Sequence, residues 1–222
     1  MKLPGGLFIS FEGPDKAGKS TQISRLASYL SGLGYIVTVT REPGGTPVCE
    51  AIRHLVMHKG EEVLAPESEL LLFAASRAQL VQSIIRPNLD RGNIVLCDRF
   101  ADSTVAYQGE ARGLDLSLID RLNRLAVGDC WPRLTFLLDL PVEESLRRLN
   151  LMEGKPKDEE DDGIDDRFEQ EDRFFRLAVR EGFLKLAARE PQRIRKLDAC
   201  ESADELAAQI RAEVDHVIAE IS

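Results

Sequence analysis

Short apolar runs alternate along this chain with longer segments of helical period. The runs are 7-LFISFE-12, 35-YIVTVT-40, 93-NIVLCD-98, 134-LTFLLDL-140 and 193-RIRKLD-198. Helical patterns lie between and after them: Lys19 to Leu33, Pro47 to His58, Pro66 to Asp90, Leu114 to Ala126, Glu143 to Leu151, Glu169 to Arg189 and Ala203 to Ile221. Strands alternating with helices predict βαβ units and a mainly parallel sheet covered on both faces. The stretches IVLC and LTFLL are almost continuously apolar, as strands buried on both faces should be. No repeat and no Pro/Gly/Ser-rich linker interrupts the pattern, so residues 1–222 read as one α/β domain.

Composition adds a constraint on partners. The chain is 43% hydrophobic and 30% charged, with a formal net charge of −9. That balance excludes a protein whose main task is gripping DNA or another polyanion. A small phosphorylated ligand remains open, because a few local cations and backbone N–H groups suffice to hold it. Cys49, Cys97, Cys130 and Cys200 lie far apart with no C-x-x-C pair, which fits reduced thiols and argues against a zinc site. The N-terminal apolar run is too short for a signal peptide, and no stretch approaches the roughly 20 apolar residues of a membrane span. The expectation is a soluble cytoplasmic protein. One segment, 155-KPKDEEDDGIDD-166, carries seven carboxylates and no apolar period. It reads as a solvated loop, or as the tip of a lid; the two readings are compatible.

The sharpest motif is 13-GPDKAGKS-20, with the spacing of a phosphate-binding loop. A predicted strand runs into Gly13 and a helical pattern follows Lys19, which is the context the motif needs. Gly13 and Gly18 allow backbone conformations a Cβ would forbid, so successive N–H groups turn inward. Lys19 is placed to meet the β- and γ-phosphates, and the Ser20 hydroxyl suits Mg²⁺. Switch GTPases, motor ATPases and small-molecule kinases all use such a loop, so it does not name a reaction.

Four further clusters bear on the choice. The segment 41-REPGGT-46 follows the second predicted strand, at the rim where open α/β sheets bind ligands. Arg53 follows on the next helix. Phe73 and Arg77 are four apart and share a helical face, so they either stack and read a base or are a core ring beside a surface cation. In 98-DRFADSTVAYQG-109, Asp98 is placed as an acid that helps position Mg²⁺. Beside it, Arg99 is a fork suited to a second phosphate.

Together GPDKAGKST, TREPGGT, LLFAASRAQ, LCDRF…DS…VAYQG and DRFE resemble the thymidylate kinase family across essentially the whole chain. That resemblance implies a nucleoside-monophosphate-kinase fold with a five-stranded parallel sheet flanked by helices, and a lid at approximately 147–172. It also implies dTMP phosphorylation to dTDP with ATP and Mg²⁺, and a homodimer. It puts ATP on Gly13, Pro14, Asp15, Lys16, Ala17, Gly18, Lys19, Ser20 and Thr21, with Asp198 and Ala199 bordering the adenine. Acceptor contacts fall to Asp15, Glu42, Pro43, Arg53, Phe73, Arg77, Arg99, Ser103, Thr104, Tyr107 and Gln108, Thr104 standing where the family usually has Ser or Asn. Mg²⁺ would involve Ser20, Asp98 and Asp15, and the transferred group Asp15, Lys16, Lys19, Arg99, Arg148 and Arg167.

The chain departs from the family's two usual patterns. One places an arginine in the phosphate loop where Lys16 stands; the other supplies arginines from the lid. Here no arginine lies between Arg148 and Arg167. Lys16 is therefore the expected cation at the transferred group, with Arg147, Arg148 and Arg167 as lid candidates; the alternative is a solvent-facing Lys16. His54 and His58, four apart, read as an exposed face and Trp131 as packing. Phe183 stands where the family commonly has Tyr, which puts a role there in doubt. Kinases of other nucleoside monophosphates, and a switch protein that has lost turnover, are the rival readings.

Overall fold

The computed structural model describes residues 1–58, 63–152, 168 and 171–221. Five parallel strands, β1 (Leu7–Glu12), β2 (Val37–Arg41), β3 (Ile94–Asp98), β4 (Leu134–Asp139) and β5 (Ile194–Asp198), form one sheet in the order β2-β3-β1-β4-β5. The expected parallel βαβ architecture is what the chain adopts. All six residues of β1 are buried, because it is central and covered on both faces. Its register pairs Phe11 with Asp98 of β3 and Phe136 of β4, so the carboxyl ends of all three strands reach one rim.

Helices α1 (Lys19–Gly32) and α9 (Ala203–Ile221) cover one face, where Leu26, Leu30, Ile210 and Val214 meet Ile9, Phe11 and Phe136. The other face packs Leu80, Val81, Ile85 and Val127 against Phe8, Val95 and Cys97, with Trp131 at the margin of that cluster. The chain leaves β1 toward β2 on one side and β3 toward β4 on the other. The crevice between β1 and β3 is the switch point where open parallel sheets hold ligands.

Two segments differ from the periodicity reading. The long helix expected over 66–90 is α3 (Pro66–Leu80), a π-helical turn (Val81–Ile85) and α4 (Arg86–Asp90). Pro87 has no N–H to continue an α ladder, and the register widens just before it, with Arg86 N–H bonding Val81 O. The second is 101–111, which the polar, Gly-containing sequence leaves as a loop. It forms α5 (Ala101–Thr104) and a π-helical turn (Val105–Ala111), which presents Tyr107 and Gln108 to the crevice.

The remaining helices are α2 (Pro47–Met57), α6 (Leu116–Val127), α7 (Val142–Met152) and α8 (Arg173–Arg189). Thr46 caps α2 through Cys49 N–H, and Asp172 caps α8 through Phe175 N–H. Of the expected lid, only α7, Phe168, Glu171 and Asp172 fall within the described residues; the acidic stretch 155–166 and Arg167 lie outside them.

Helix α8 packs on the 105–111 turn through Gly182, where an added Cβ would stand 3.0 Å from Ala106 Cα and 3.0 Å from Glu110 Cγ. Gly182→Val should overfill that contact and cost about 1–3 kcal/mol, read as a lowered urea midpoint. An unchanged midpoint would show that α8 moves aside freely.

Candidate active site

The phosphate loop owes its shape to backbone sterics. Gly13 sits at φ +135°, and a Cβ there would run into the Leu138 carbonyl. Gly18 caps α1 at φ +92°. Lys16 is left-handed at φ +61°, unusual for a residue with a side chain. Lys19 arches over its own loop, its ammonium donating to Pro14 O at 3.0 Å. Burial pulls its pKa down and Arg99 pulls the same way, against Asp98, Asp15 and Glu12. Ser20 Oγ donates to Asp98 Oδ2 at 3.2 Å, while the buried Asp98 Oδ1 has no hydrogen-bond partner.

Arg99 is the second left-handed residue, at φ +64°. Its fork donates to Gly13 O at 2.9 Å and Asp15 Oδ1 at 2.5 Å, and its guanidinium lies over the Tyr107 ring at 5.2 Å. Burial works against its charge, but Tyr107, Asp15, Asp98 and Glu12 more than offset it and raise its pKa. Burial pushes the Asp15 carboxyl up, yet Arg99, Lys19 and Arg176 together hold it below its usual value.

One cavity of about 660 Å³ joins these groups to the second cluster of motifs. Asp15, Lys16, Gly18, Lys19, Ser20 and Thr21 line one end. Glu42, Pro43, Arg53, Phe73 and Arg77 line the other, with Asp98, Arg99, Ser103, Thr104, Tyr107 and Gln108 between. Arg77 is only 1% exposed and is no surface cation. It donates to Glu42 Oε2 at 2.7 and 2.9 Å, Thr104 Oγ1 at 2.9 Å and Asn123 Oδ1 at 2.8 Å. Burial raises the Glu42 carboxyl despite Arg77. Gln108 donates to Glu69 Oε1 at 2.7 Å.

Several expected residues stand elsewhere. Asp198 and Ala199 do not line this cavity. Asp198 accepts from Cys200 N–H, and Ala199 O accepts from Arg148 at 2.9 Å. Gly13, Pro14 and Ala17 shape the loop from behind. Arg148 does line the cavity, but its guanidinium also bonds Lys16 O and Glu144. Arg147 pairs with Glu144 on an exposed face. The His54 and His58 rings stack at 5.2 Å, and among the described residues no three or more His, Cys, Asp or Glu gather as a metal cluster. Both Asp15 oxygens face guanidinium groups, Arg99 at 2.5 Å and Arg176 at 4.0 Å. Phe183 is buried 6.2 Å from the Tyr107 ring, a packing position with no need of a hydroxyl.

Sequence reasoning missed Glu12, Phe168 and Arg176. Phe168 lines the cavity between the Phe73 and Tyr107 rings, and Arg176 donates to Phe168 O at 3.5 Å. Glu12 ends β1, where its oxygens meet Phe100 N–H at 2.8 Å and Ser103 Oγ at 2.6 Å. A carboxylate inside an otherwise apolar strand, one residue before the glycine of the loop, was the available signal.

A loop built to wrap a nucleoside triphosphate thus faces an aromatic, guanidinium-lined pocket for a second, smaller phosphorylated molecule. That layout defines a P-loop nucleoside monophosphate kinase. The thymidylate kinase family description matches residues 11–210. A thymidylate kinase of Syntrophotalea carbinolica is 50% identical over 206 residues, covering 91% of this chain and 92% of that one. A thymidylate kinase of Deinococcus radiodurans is 49% identical, covering 94% and 96%. The crystal structure of thymidylate kinase from Ehrlichia chaffeensis superposes with a TM-score of 0.74 at 35% identity, covering 96% of this chain and 99% of that one. The chain belongs to the thymidylate kinase family.

Burial, with Asp102 adding to it, raises the Glu12 carboxyl from 4.5 to about 8. The folded protein therefore holds a proton there that the unfolded chain has released. This contribution to stability is complete below about pH 4.5 and fades as pH rises toward 8. Glu12→Gln removes the titration, so the melting temperature of the wild type should fall relative to the variant between pH 5 and 8. The change should amount to a few kcal/mol. A difference constant with pH would show that Glu12 is ionised throughout.

Proposed function

We propose that this protein transfers the γ-phosphoryl group of ATP directly to the phosphate of dTMP, giving dTDP and ADP. The observation that carries the reading is the single cavity, with the phosphate loop at one end and Phe73, Arg77 and Gln108 at the other. Phosphoryl transfer is chiefly a matter of positioning and of stabilising charge. Arg53 and Arg99 are the acceptor-phosphate clamp, and Phe73 stacks the base. Asp15 holds the Arg99 fork in place. The acceptor phosphate is already anionic near pH 7, so no general base is required. No nucleophile is required either: the nearest thiol, Cys97, has its pKa raised by burial and by Glu42.

Ser20 and the unpartnered Asp98 Oδ1 fit a hydrated Mg²⁺, which typically takes one or two protein oxygens and completes its shell with water and phosphate. When bound, Mg²⁺ and ATP supply charge neutralisation and the transferable group. We include Asp198 and Ala199 as the turn beside the adenine, and Arg167 and Arg148 as lid cations, on the family pattern. The homodimer is supported by exposed Val48 and Leu55 on α2 and Leu71 on α3. A cytoplasmic setting is supported by the four cysteines standing as free thiols.

The direct test is ADP production from ATP and Mg²⁺ with dTMP, dUMP, dGMP, dCMP and AMP offered in parallel. dTMP should turn over fastest; ATP binding without turnover of any acceptor would favour a switch. Lys16 lines the cavity, and we assign it as the cation at the transferred group. Its left-handed backbone costs about 1–2 kcal/mol that glycine avoids. Lys16→Gly should therefore lower kcat by two orders of magnitude or more while thermal stability holds or rises. A kcat within threefold of wild type would remove Lys16 from the mechanism.

A further inference from the structure

Building on the dTMP reading, we infer that Glu69 is a positioning residue that sets base selectivity by fixing which way the Gln108 amide points. Glu69 lies on α3, four residues before Phe73, and is 1% exposed; Gln108 comes from the 105–111 turn and is 2% exposed. The two meet at 2.7 Å, Nε2 to Oε1. A carboxylate only accepts hydrogen bonds, so the amide must turn its NH₂ end toward Glu69. Arg112 stands 3.5 Å from the same Glu69 oxygen and supplies the counter-charge, itself held over the Phe175 ring at 4.5 Å.

The other end of that amide is a carbonyl oxygen. Gln108 lines the cavity, and among the described residues no donor reaches its Oε1. Arg77 lines the same cavity and carries only donors. The wall thus offers a donor and an acceptor side by side. A pyrimidine with a carbonyl at C4 and N–H at N3 matches both. Cytosine presents an amine and a bare ring nitrogen, the reverse at each position. A pocket built to hydrogen-bond one pattern rejects its inverse strongly, because buried polar groups are left facing their like. Guanine shares the carbonyl and N–H edge, so discrimination against dGMP falls to the pocket walls. The dTMP:dCMP ratio isolates the contribution of Glu69.

The experiment compares kcat/KM for dTMP and dCMP in the wild type, Glu69→Gln, and the double variant Glu69→Gln with Gln108→Glu. In Glu69→Gln the facing amide offers either end, and Gln108 is free to flip. The dTMP:dCMP ratio should fall tenfold or more, with the KM for ATP unchanged. The double variant exchanges the pair and conserves charge and volume. Its carboxylate at 108 presents only acceptors to the base, so selectivity should return. A ratio unchanged within twofold in Glu69→Gln, or one lost in the single variant and not restored by the exchange, overturns the role of Glu69. A wild type that does not act on dTMP overturns the functional reading beneath it, and with it this inference. Should the single variant fail to fold, the exchanged pair alone decides: a wild-type ratio supports the inference, and a collapsed ratio overturns it.

Discussion

The site depends on one buried carboxyl group. Glu12 closes the central strand, and its two oxygens meet the Phe100 N–H and the Ser103 hydroxyl. Those contacts fasten the start of α5 to β1, across the crevice between β1 and β3. Arg99 lies between β3 and that anchored helix, in a left-handed conformation that costs a non-glycine residue about 1–2 kcal/mol. Such strain persists only where surrounding contacts over-determine it. Here the contacts are Arg99 N–H to Phe11 O at 2.9 Å, the Glu12 bonds on its carboxyl side, and the guanidinium bonds to Gly13 O and Asp15. The polar chain continues behind Glu12. Asp102 is held by Arg193 at 2.7 and 2.8 Å, and by Thr135, which bonds Ser10 of β1. A protonated Glu12 leaves that network with Asp102 and Arg193 as a matched pair, which is the cheaper arrangement in a medium of low polarity.

The phosphate loop has a comparable support on its other side. Ser145 of α7 donates to Asp15 O at 2.8 Å, and Arg148 reaches Lys16 O at 3.2 Å and Ala199 O at 2.9 Å. Helix α7 thus straps the left-handed residue of the loop to the turn after β5. Arg148 consequently acts on the loop's shape as well as its charge. A lysine at 16 is compatible with this only because its carbonyl is held from outside, so the helix that leads toward the lid also governs where the Lys16 side chain starts.

Much of this was legible in the sequence. Strand positions, the parallel sheet and the phosphate loop followed from period and spacing. Phe73, Arg77, Asp98 and Arg99 came from motifs, and the cavity gathers all four. What stayed hidden was tertiary. The turn at 101–111 has no helical period to find, because its widened register is imposed by packing on α8 and α6. Glu12 looked like the end of a strand, since nothing local shows that a residue 88 positions later aims its N–H at it. Arg77 was weighed as a surface cation because its partners Glu42, Thr104 and Asn123 come from three separate segments. Asp198 and Ala199 were right in fold and missed in position: they touch the loop through Arg148 and not through the cavity wall.

An acidic protein that binds two anions must separate its long-range field from its local one. The net charge of −9 repels nucleotides at a distance, but salt screens that repulsion beyond about 8–10 Å. Inside the cavity the acids are not free to add to it. Asp15 is paired with Arg99, Glu42 with Arg77 and Glu69 with Arg112, and Glu12 is kept neutral by burial. The guanidiniums and Lys19 are thereby fixed before any ligand arrives, which is the preorganisation that phosphoryl transfer needs. The same pairing gives each carboxylate a second task, since it orients the group that reads the ligand: Asp15 orients Arg99 for a phosphate, and Glu42 orients Arg77 for the edge of a base.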